Sequence, residues 1–285
     1  MSILFAGSAS SRVKTNNPQI MAAIDGTRQF TLCAWVFTTT AGTNVFIGGP
    51  NTGAGNMILG FTGASPTKLL CRGNTNINSS SNQTIATGAG VWNHIAGTYN
   101  GNTDQVIHLY LNGVECTYAS QNGGAWTPQY PNSSFYFGGT LPAGQNFSGA
   151  LAEVAIFKVA LSAAQIAQIA ASTVGLNPKS PGWIDGNLLA YYHLNGQTAT
   201  EVDSTGNVLN VGVPVSTAYK TDSPGYSFTA GQPATPLTSI SQQGVSNPSV
   251  SPSVPNSGSK VVPVTVGVPE VIGRFDVNTV INNPA

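Results

Sequence analysis

Residues 30–37 read Phe30-Thr31-Leu32-Cys33-Ala34-Trp35-Val36-Phe37. Strict alternation puts Phe30, Leu32, Ala34 and Val36 on one side and Thr31, Cys33, Trp35 and Phe37 on the other. Both sides are largely apolar, so the stretch is predicted to be a central strand covered on both faces.

Outward from it, short apolar runs alternate with clusters of Gly, Asn, Ser and Pro from Ile3 to about Phe228. That is the sequence form of a multi-strand antiparallel sandwich or barrel. Strands are predicted over Asn44 to Gly48, Met57 to Phe61, Lys68 to Arg72, Trp92 to Tyr99 and Val106 to Leu111. Asn100 to Asp104 supply a turn. Asn112-Gly113 predicts a tight hairpin into Val114 to Tyr118, because both residues tolerate positive φ. Further strands are read over Ser134 to Gly138, Gly149 to Phe157 and Leu188 to Leu194, with Asp203 to Asn207 as a turn. One short helix is expected over Leu161 to Ala170, where Ser162 as N-cap and Gln165 three residues on form a capping-box pattern.

Near Ala230 the composition shifts. Pro233, Pro236, Pro248, Pro252 and Pro255 lie among Ser, Thr, Gln and Gly, and no ionic side chain occurs from Pro224 to Ser259. Such a stretch reads as an extended linker. The organisation expected is a sandwich over 1–228, a linker over 229–260 and a β-prone arm over 261–285. The arm is too small to form a core and suits strand addition to a neighbouring subunit.

Charge bounds the function. Only 7% of residues are Asp, Glu, Lys or Arg, and ten acids balance ten bases. A neutral, charge-poor surface attracts neither phosphates nor anionic lipid, which argues against nucleic acid and membrane as partners. Near-zero net charge also removes repulsion between copies and suits an oligomer. Cys33, Cys71 and Cys116 are an odd, widely spaced set without metal-ligand spacing. They read as buried strand residues, with a single disulfide left open. The opening residues lack a secretory h-region and no run approaches a membrane helix, so synthesis in a host cytoplasm, with retention there or release by lysis, and residence in a virion are expected.

Several segments, in order, resemble the laminin G-like, concanavalin A-like lectin/glucanase superfamily. Ile3 to Ser8 resembles its opening strand, and Phe30 to Phe37 an early core strand. Trp92 to Tyr99, Leu109 to Gly113, and Gly149 to Ala167 resemble its later strands and the strand that runs into a short helix. Leu188 to Leu194 with Asp203 to Asn207 resembles an element that often precedes the domain. Its place after the helix is similar to arrangements in bacteriophage virion proteins. The resemblance implies an all-β, two-sheet antiparallel jelly roll. It also departs from the family, with Ala152 before Glu153 and Ala6 in the opening segment where aspartates are common. Calcium takes six to eight oxygens, usually with several carboxylates. The departures therefore weigh against a resident calcium ion, and Asp25, Asp104 and Asp203 are the loop carboxylates that could serve one.

Glycoside hydrolysis ordinarily uses two carboxyls flanking the bond. No second acid lies near Glu153 in sequence, and the close pair Glu201 and Asp203 sits beside a Gly-rich turn, where solvated carboxylates are ordinary, so no cofactor and no catalytic residue is expected. His94, His108 and His193 fall in predicted strands without a triad pattern. Gly48-Gly49 and Gly138-Gly139 lack the helix start and Lys of a phosphate loop. Sugar contacts would need aromatic faces and planar amides. Trp126 and Tyr130 in one loop, and Asn74 and Asn76 in another, are those candidates. The function expected from the whole is a non-enzymatic virion structural protein: a capsid decoration protein, head fibre or tail component. Its partners would be other virion proteins and further copies of itself, a trimer by preference. The alternative is a module that binds host glycans.

Overall fold

The computed structural model describes residues 2–8, 12–14, 19–38, 44–49, 57–62, 68–73, 77–85, 91–125, 135–139, 146–172, 176, 181–194, 200–201, 203–205, 211–212 and 218–220. The chain divides into two compact units, Met1–Ile240 and Ser241–Ala285, and the described residues belong to the first. The linker and arm read over 229–285 lie outside them.

The element order is β1 (Ser2–Ala6), β2 (Val13–Lys14), α1 (Gln19–Thr27), β3 (Gln29–Thr38), β4 (Asn44–Gly48), β5 (Ile58–Phe61), β6 (Lys68–Arg72) and β7 (Asn78–Thr84). It continues with β8 (Trp92–Asn100), β9 (Ile107–Leu111), β10 (Val114–Glu115), β11 (Tyr118–Asn122), β12 (Tyr136–Phe137) and β13 (Ser148–Phe157). Last come α2 (Ala163–Ala170), β14 (Leu188–Tyr192), β15 (Thr200–Glu201), β16 (Val211–Gly212) and β17 (Ala218–Lys220).

Among the described residues two antiparallel sheets form. The eight-stranded sheet runs β10-β9-β8-β3-β13-β1-β17, with β14 also on β13; the nine-stranded sheet runs β11-β7-β6-β5-β4-β12-β2-β16-β15. Their inner faces share one core, to which β3 gives Phe30, Leu32, Ala34 and Val36. T-shaped ring contacts, Phe46 with Phe61 at 4.4 Å and Phe46 with Phe147 at 4.9 Å, help to fill it. Each fully buried Phe of this kind contributes about 1.5–3 kcal/mol relative to exposure.

As its two apolar faces predict, β3 is central, paired with β8 on one edge and β13 on the other. Its second face carries Cys33 into a separate apolar layer beneath α2, with Ala96, Tyr110, Ala155, Phe157, Leu161, Ile166 and Ile169. The predicted capping box is present: Gln165 N–H donates to Ser162 Oγ at 3.3 Å and Ser162 N–H donates to Gln165 Oε1 at 2.8 Å. The hairpin turn also forms as read, with Asn112 at φ 51° and Gly113 at φ 83°. A Cβ on Gly113 would lie 3.1 Å from Ala167 Cα, so α2 rests on a turn that leaves it no side chain to meet.

Strands β2, β11, β15, β16 and β17 were not read in the sequence, and two further elements depart from the reading. The structure has a second helix, α1, whose Ile20, Met21 and Ile24 are buried. Segment Asn78–Thr84, a run of polar residues not read as a strand, is strand β7. Its Ser79 and Ser81 point inward because their hydroxyls bond backbone: Ser79 Oγ donates to Ile107 O at 2.7 Å, and Ser81 Oγ accepts from Leu69 N–H at 3.1 Å. Hydrogen bonds therefore do there what apolar side chains do elsewhere. The three cysteines are free thiols and buried.

Strand β13 changes partner midway. Ser148–Leu151 pair with β1, and Val154–Phe157 pair with β14. At the junction Glu153 takes φ 54°, within an irregularity between Ala152 and Ala155.

Candidate functional site

Alternation fixes what the outer face of the nine-stranded sheet presents. Leu59, Phe61, Leu69 and Cys71 enter the core, so Ile58 and Gly60 on β5 and Lys68, Leu70 and Arg72 on β6 face outward; Ile58 and Leu70 form an apolar pair of their own. Val13 and Phe137 enter the core likewise, turning Lys14 and Tyr136 out. Pairing then aligns one transverse row: Asn122, Asn78, Arg72, Ile58, Gly48, Tyr136 and Lys14. At strand spacings of about 4.8 Å the row is about 29 Å long. A neighbouring row carries Ser120, Ser80, Leu70 and Gly60.

Polar groups on this face bond one another sideways. Ser80 and Ser120 hydroxyls lie 2.9 Å apart, Asn122 Nδ2 donates to Asn78 Oδ1 at 3.4 Å, and Asn82 Nδ2 donates to Tyr118 O at 3.0 Å. At the other end the Arg12 guanidinium lies 5.7 Å from the Tyr136 ring centroid. Burial raises the Tyr136 pKa and Arg12 opposes the rise. The face thus offers amides, hydroxyls and a guanidinium around a small apolar floor, a composition suited to hydroxyl-rich ligands.

A second polar cluster is buried behind the other sheet. Glu153 accepts a hydrogen bond from Tyr191 Oη, and both its carboxylate oxygens lie 3.2 Å from His193 Nδ1. Tyr191 Oη in turn accepts from Leu176 N–H at 2.9 Å. Burial raises the Glu153 pKa, with His193 acting against the rise. Topology assembles this group: Glu153 is on β13, and Tyr191 and His193 are on and just beyond β14. On the same outer face Trp35 packs edge-on to His94 at 5.5 Å. Burial lowers the His94 pKa to about 3, so its imidazole is neutral in the folded protein at ordinary pH.

An exposed cluster lies at the β9–β10 hairpin. His108 sits between two carboxylates, Nε2 at 2.7 Å from Asp104 Oδ2 and Nδ1 at 2.7 Å from Glu115 Oε1. Tyr118 Oη also donates to Glu115 Oε1, at 2.9 Å.

The candidate sugar contacts Trp126, Tyr130, Asn74 and Asn76 lie outside the described residues. The candidate carboxylates are distributed over separate elements: Asp25 is half-buried in α1, Asp104 is engaged by His108, and Asp203 is buried in the turn after β14. The expectation of a solvated Asp203 is corrected here. Its Oδ1 accepts from Tyr191 N–H at 3.0 Å and Thr205 N–H at 3.1 Å, and its Oδ2 from Thr205 Oγ1 at 2.7 Å. Among the described residues no group of three His, Cys, Asp or Glu is placed to hold a metal ion. Sequence reasoning read Lys68 to Arg72 as a strand but did not read β7 or β11 beside it, and so missed the face that the three form. The signal available was the alternation of Lys68, Leu70 and Arg72 against Leu69 and Cys71.

Comparison with known proteins agrees with this geometry at the level of fold. The sequence profile of the concanavalin A-like lectin/glucanases superfamily matches residues 7–167. A candidate carbohydrate-binding protein from Bacteroides ovatus superposes with a TM-score of 0.54 at 23% identity, over 76% of this chain and 60% of that one. The chain thus spans less than two thirds of that protein. A heptameric SAP-like pentraxin from Limulus polyphemus superposes with a TM-score of 0.46 at 18% identity, over 75% of this chain and 95% of that one. Among curated proteins no sequence matches.

Proposed function

Because the chain belongs to the concanavalin A-like lectin/glucanases superfamily, we propose that its sandwich is a non-catalytic, carbohydrate-binding module. The observation that carries this reading is the transverse row Asn122, Asn78, Arg72, Ile58, Gly48, Tyr136 and Lys14 on the outer face of the nine-stranded sheet. Planar amides and a guanidinium can bond paired hydroxyls, and an open face admits a chain-like ligand crossing the strands. The absence of catalysis is supported by chemistry: Glu153 is buried and bonded to Tyr191 and His193 rather than set opposite a second carboxyl. A glycan array probed with the full-length protein tests the reading. Reproducible binding lost in Asn78→Ala supports it, and the absence of any bound glycan overturns it. Loss in Trp126→Ala or Tyr130→Ala with Asn78→Ala unaffected would move the site to the 123–132 loop.

A second reading is favoured by the change of composition near Ala230. The chain would serve as a structural component of a bacteriophage virion, a decoration, fibre or tail-associated protein, with segment 261–285 adding strands to a neighbouring subunit. The mass of the protein in solution tests the arm. A trimer that becomes monomeric on deletion of residues 229–285 supports it, and a full-length monomer sinks it. Mass spectrometry of purified particles tests the location.

A further inference from the structure

We infer that the outer face of the nine-stranded sheet selects acidic saccharides, those bearing carboxylate or sulfate groups, with Arg72 as the anion-recognising residue. This rests on the carbohydrate-binding reading above and narrows it to a ligand class. The argument begins with where the charges lie. The chain carries equal numbers of acidic and basic residues, yet they are not evenly spread. Lys68 and Arg72 on β6 and Lys14 on β2 all point outward from this sheet, and Arg12 lies over Tyr136 beside Lys14. Among the described side chains of this face there is no carboxylate. The described acid side chains lie on other elements, with Asp25 on α1 and Asp185 in the turn before β14. Asp104 and Glu115 clamp His108, while Glu153 and Asp203 are buried against β14. A neutral protein thus presents one locally positive face.

Arg72 has the form such a ligand needs. It is half-exposed and makes no ion pair among the described residues, while its Nε is buried at the root of the guanidinium. A guanidinium free of ion pairs can turn its terminal Nη groups to a ligand as a planar fork that fits a carboxylate or sulfate in two parallel hydrogen bonds. Asn78 is its direct cross-strand neighbour, placed to bond hydroxyls of the same sugar. Lys14 stands four strands away along the row, about 19 Å at sheet spacing. The two basic ends are therefore separated by the apolar and glycine centre, Ile58 and Gly48. A single anion cannot reach both, whereas an oligosaccharide with an acidic group in more than one residue can. Charge in a face of low local acidity also steers anions to it from solution.

The test uses the full-length protein on an array of paired probes: sialylated and desialylated, uronate-containing and carboxyl-reduced, sulfated and desulfated oligosaccharides. The expected result is that the acidic member of at least one pair binds tenfold or more tightly than its neutral partner. That preference should fall with added salt. In Arg72→Gln the acidic member should lose about tenfold more affinity than its neutral partner, so that the preference within the pair collapses, and Arg72→Lys should recover only part. Lys14→Gln should weaken longer acidic probes and spare short ones. Near-UV circular dichroism confirms that each variant is folded. Equal affinity within every pair overturns the acidic preference and leaves carbohydrate binding standing. Binding of neither member of any pair overturns both.

Discussion

Both carboxylate oxygens of Glu153 lie 3.2 Å from Nδ1 of His193, inside the layer between β13, β14 and the segment after α2. Burial raises the Glu153 pKa above that of the unfolded chain. A raised acid pKa stabilises the fold below the unfolded value, and that contribution is lost as pH rises through the folded value. Glu153→Gln keeps an oxygen for Tyr191 Oη and cannot ionise. Its melting temperature relative to the parent should therefore rise between pH 4 and pH 8. A difference that does not change with pH would sink the idea. Glu153→Ala leaves Tyr191 Oη and His193 facing a void and should cost about 1–3 kcal/mol.

His108 works in the opposite setting, near solvent. Burial lowers its pKa, but the hydrogen bonds and charges of Glu115 and Asp104 outweigh that, and the net shift is upward. The contribution is present in full below the unfolded value near 6.5 and disappears as pH rises through the folded value. His108→Gln should thus be less stable than the parent by about 0.2–1 kcal/mol at pH 5.5, and equal to it at pH 9. Denaturant melts at the two values measure this. An NMR titration midpoint for His108 below 6.5 would contradict it.

Gly97 on β8 lets the two sheets approach closely. A Cβ there would lie 2.7 Å from Cys71 Sγ and 3.0 Å from Cys71 Cβ. Gly97→Ala should cost about 1–3 kcal/mol by overpacking. Adding Cys71→Ala removes the sulfur and should restore part of the loss, a coupling that a double-mutant cycle reads directly. Strict additivity would show that the strain lies elsewhere.

Thiol chemistry gives an independent check on the core. Burial raises the Cys33 pKa to about 12 and that of Cys116 to about 11, and pushes Cys71 higher still. Only thiolate reacts, so a disulfide reagent at pH 8 should label none of the three until denaturant is added. Cys116, at the edge of the core, should be released first. Rapid labelling of Cys33 in the native protein would be inconsistent with its place under α2.

Much of the sandwich was readable because its strands declare themselves through apolar alternation. The two-sided pattern of Phe30 to Phe37 placed β3 at the centre before any pairing was known, and Ser162 with Gln165 marked the start of α2. Strand β7 was not readable because Ser79 and Ser81 earn their interior positions by bonding Ile107 O and Leu69 N–H, partners distant in sequence. Helix α1 was hidden for a different reason: Gly26 and a short apolar stripe look like connecting chain. The Glu153 cluster was invisible for a third, since Tyr191 and His193 come to it only through the pairing of β13 with β14. Asp203 read as a solvated turn residue, but its carboxylate is fixed by Tyr191 and Thr205.

The position of β1 has a consequence for how the protein is made. Ile3 pairs with Leu151 on one side and with Tyr219 on the other. Strand β1 therefore has neither edge partner until most of the domain that follows it has been synthesised. Pairings between such distant segments close slowly, because a long loop must be ordered before any contact compensates for it. Until then an apolar strand waits with both edges open, exposed to pairing with the wrong chain. Folding of this sandwich should be limited by the arrival of β13 and β17, and a chaperone that shields residues 2–6 during synthesis would raise its yield.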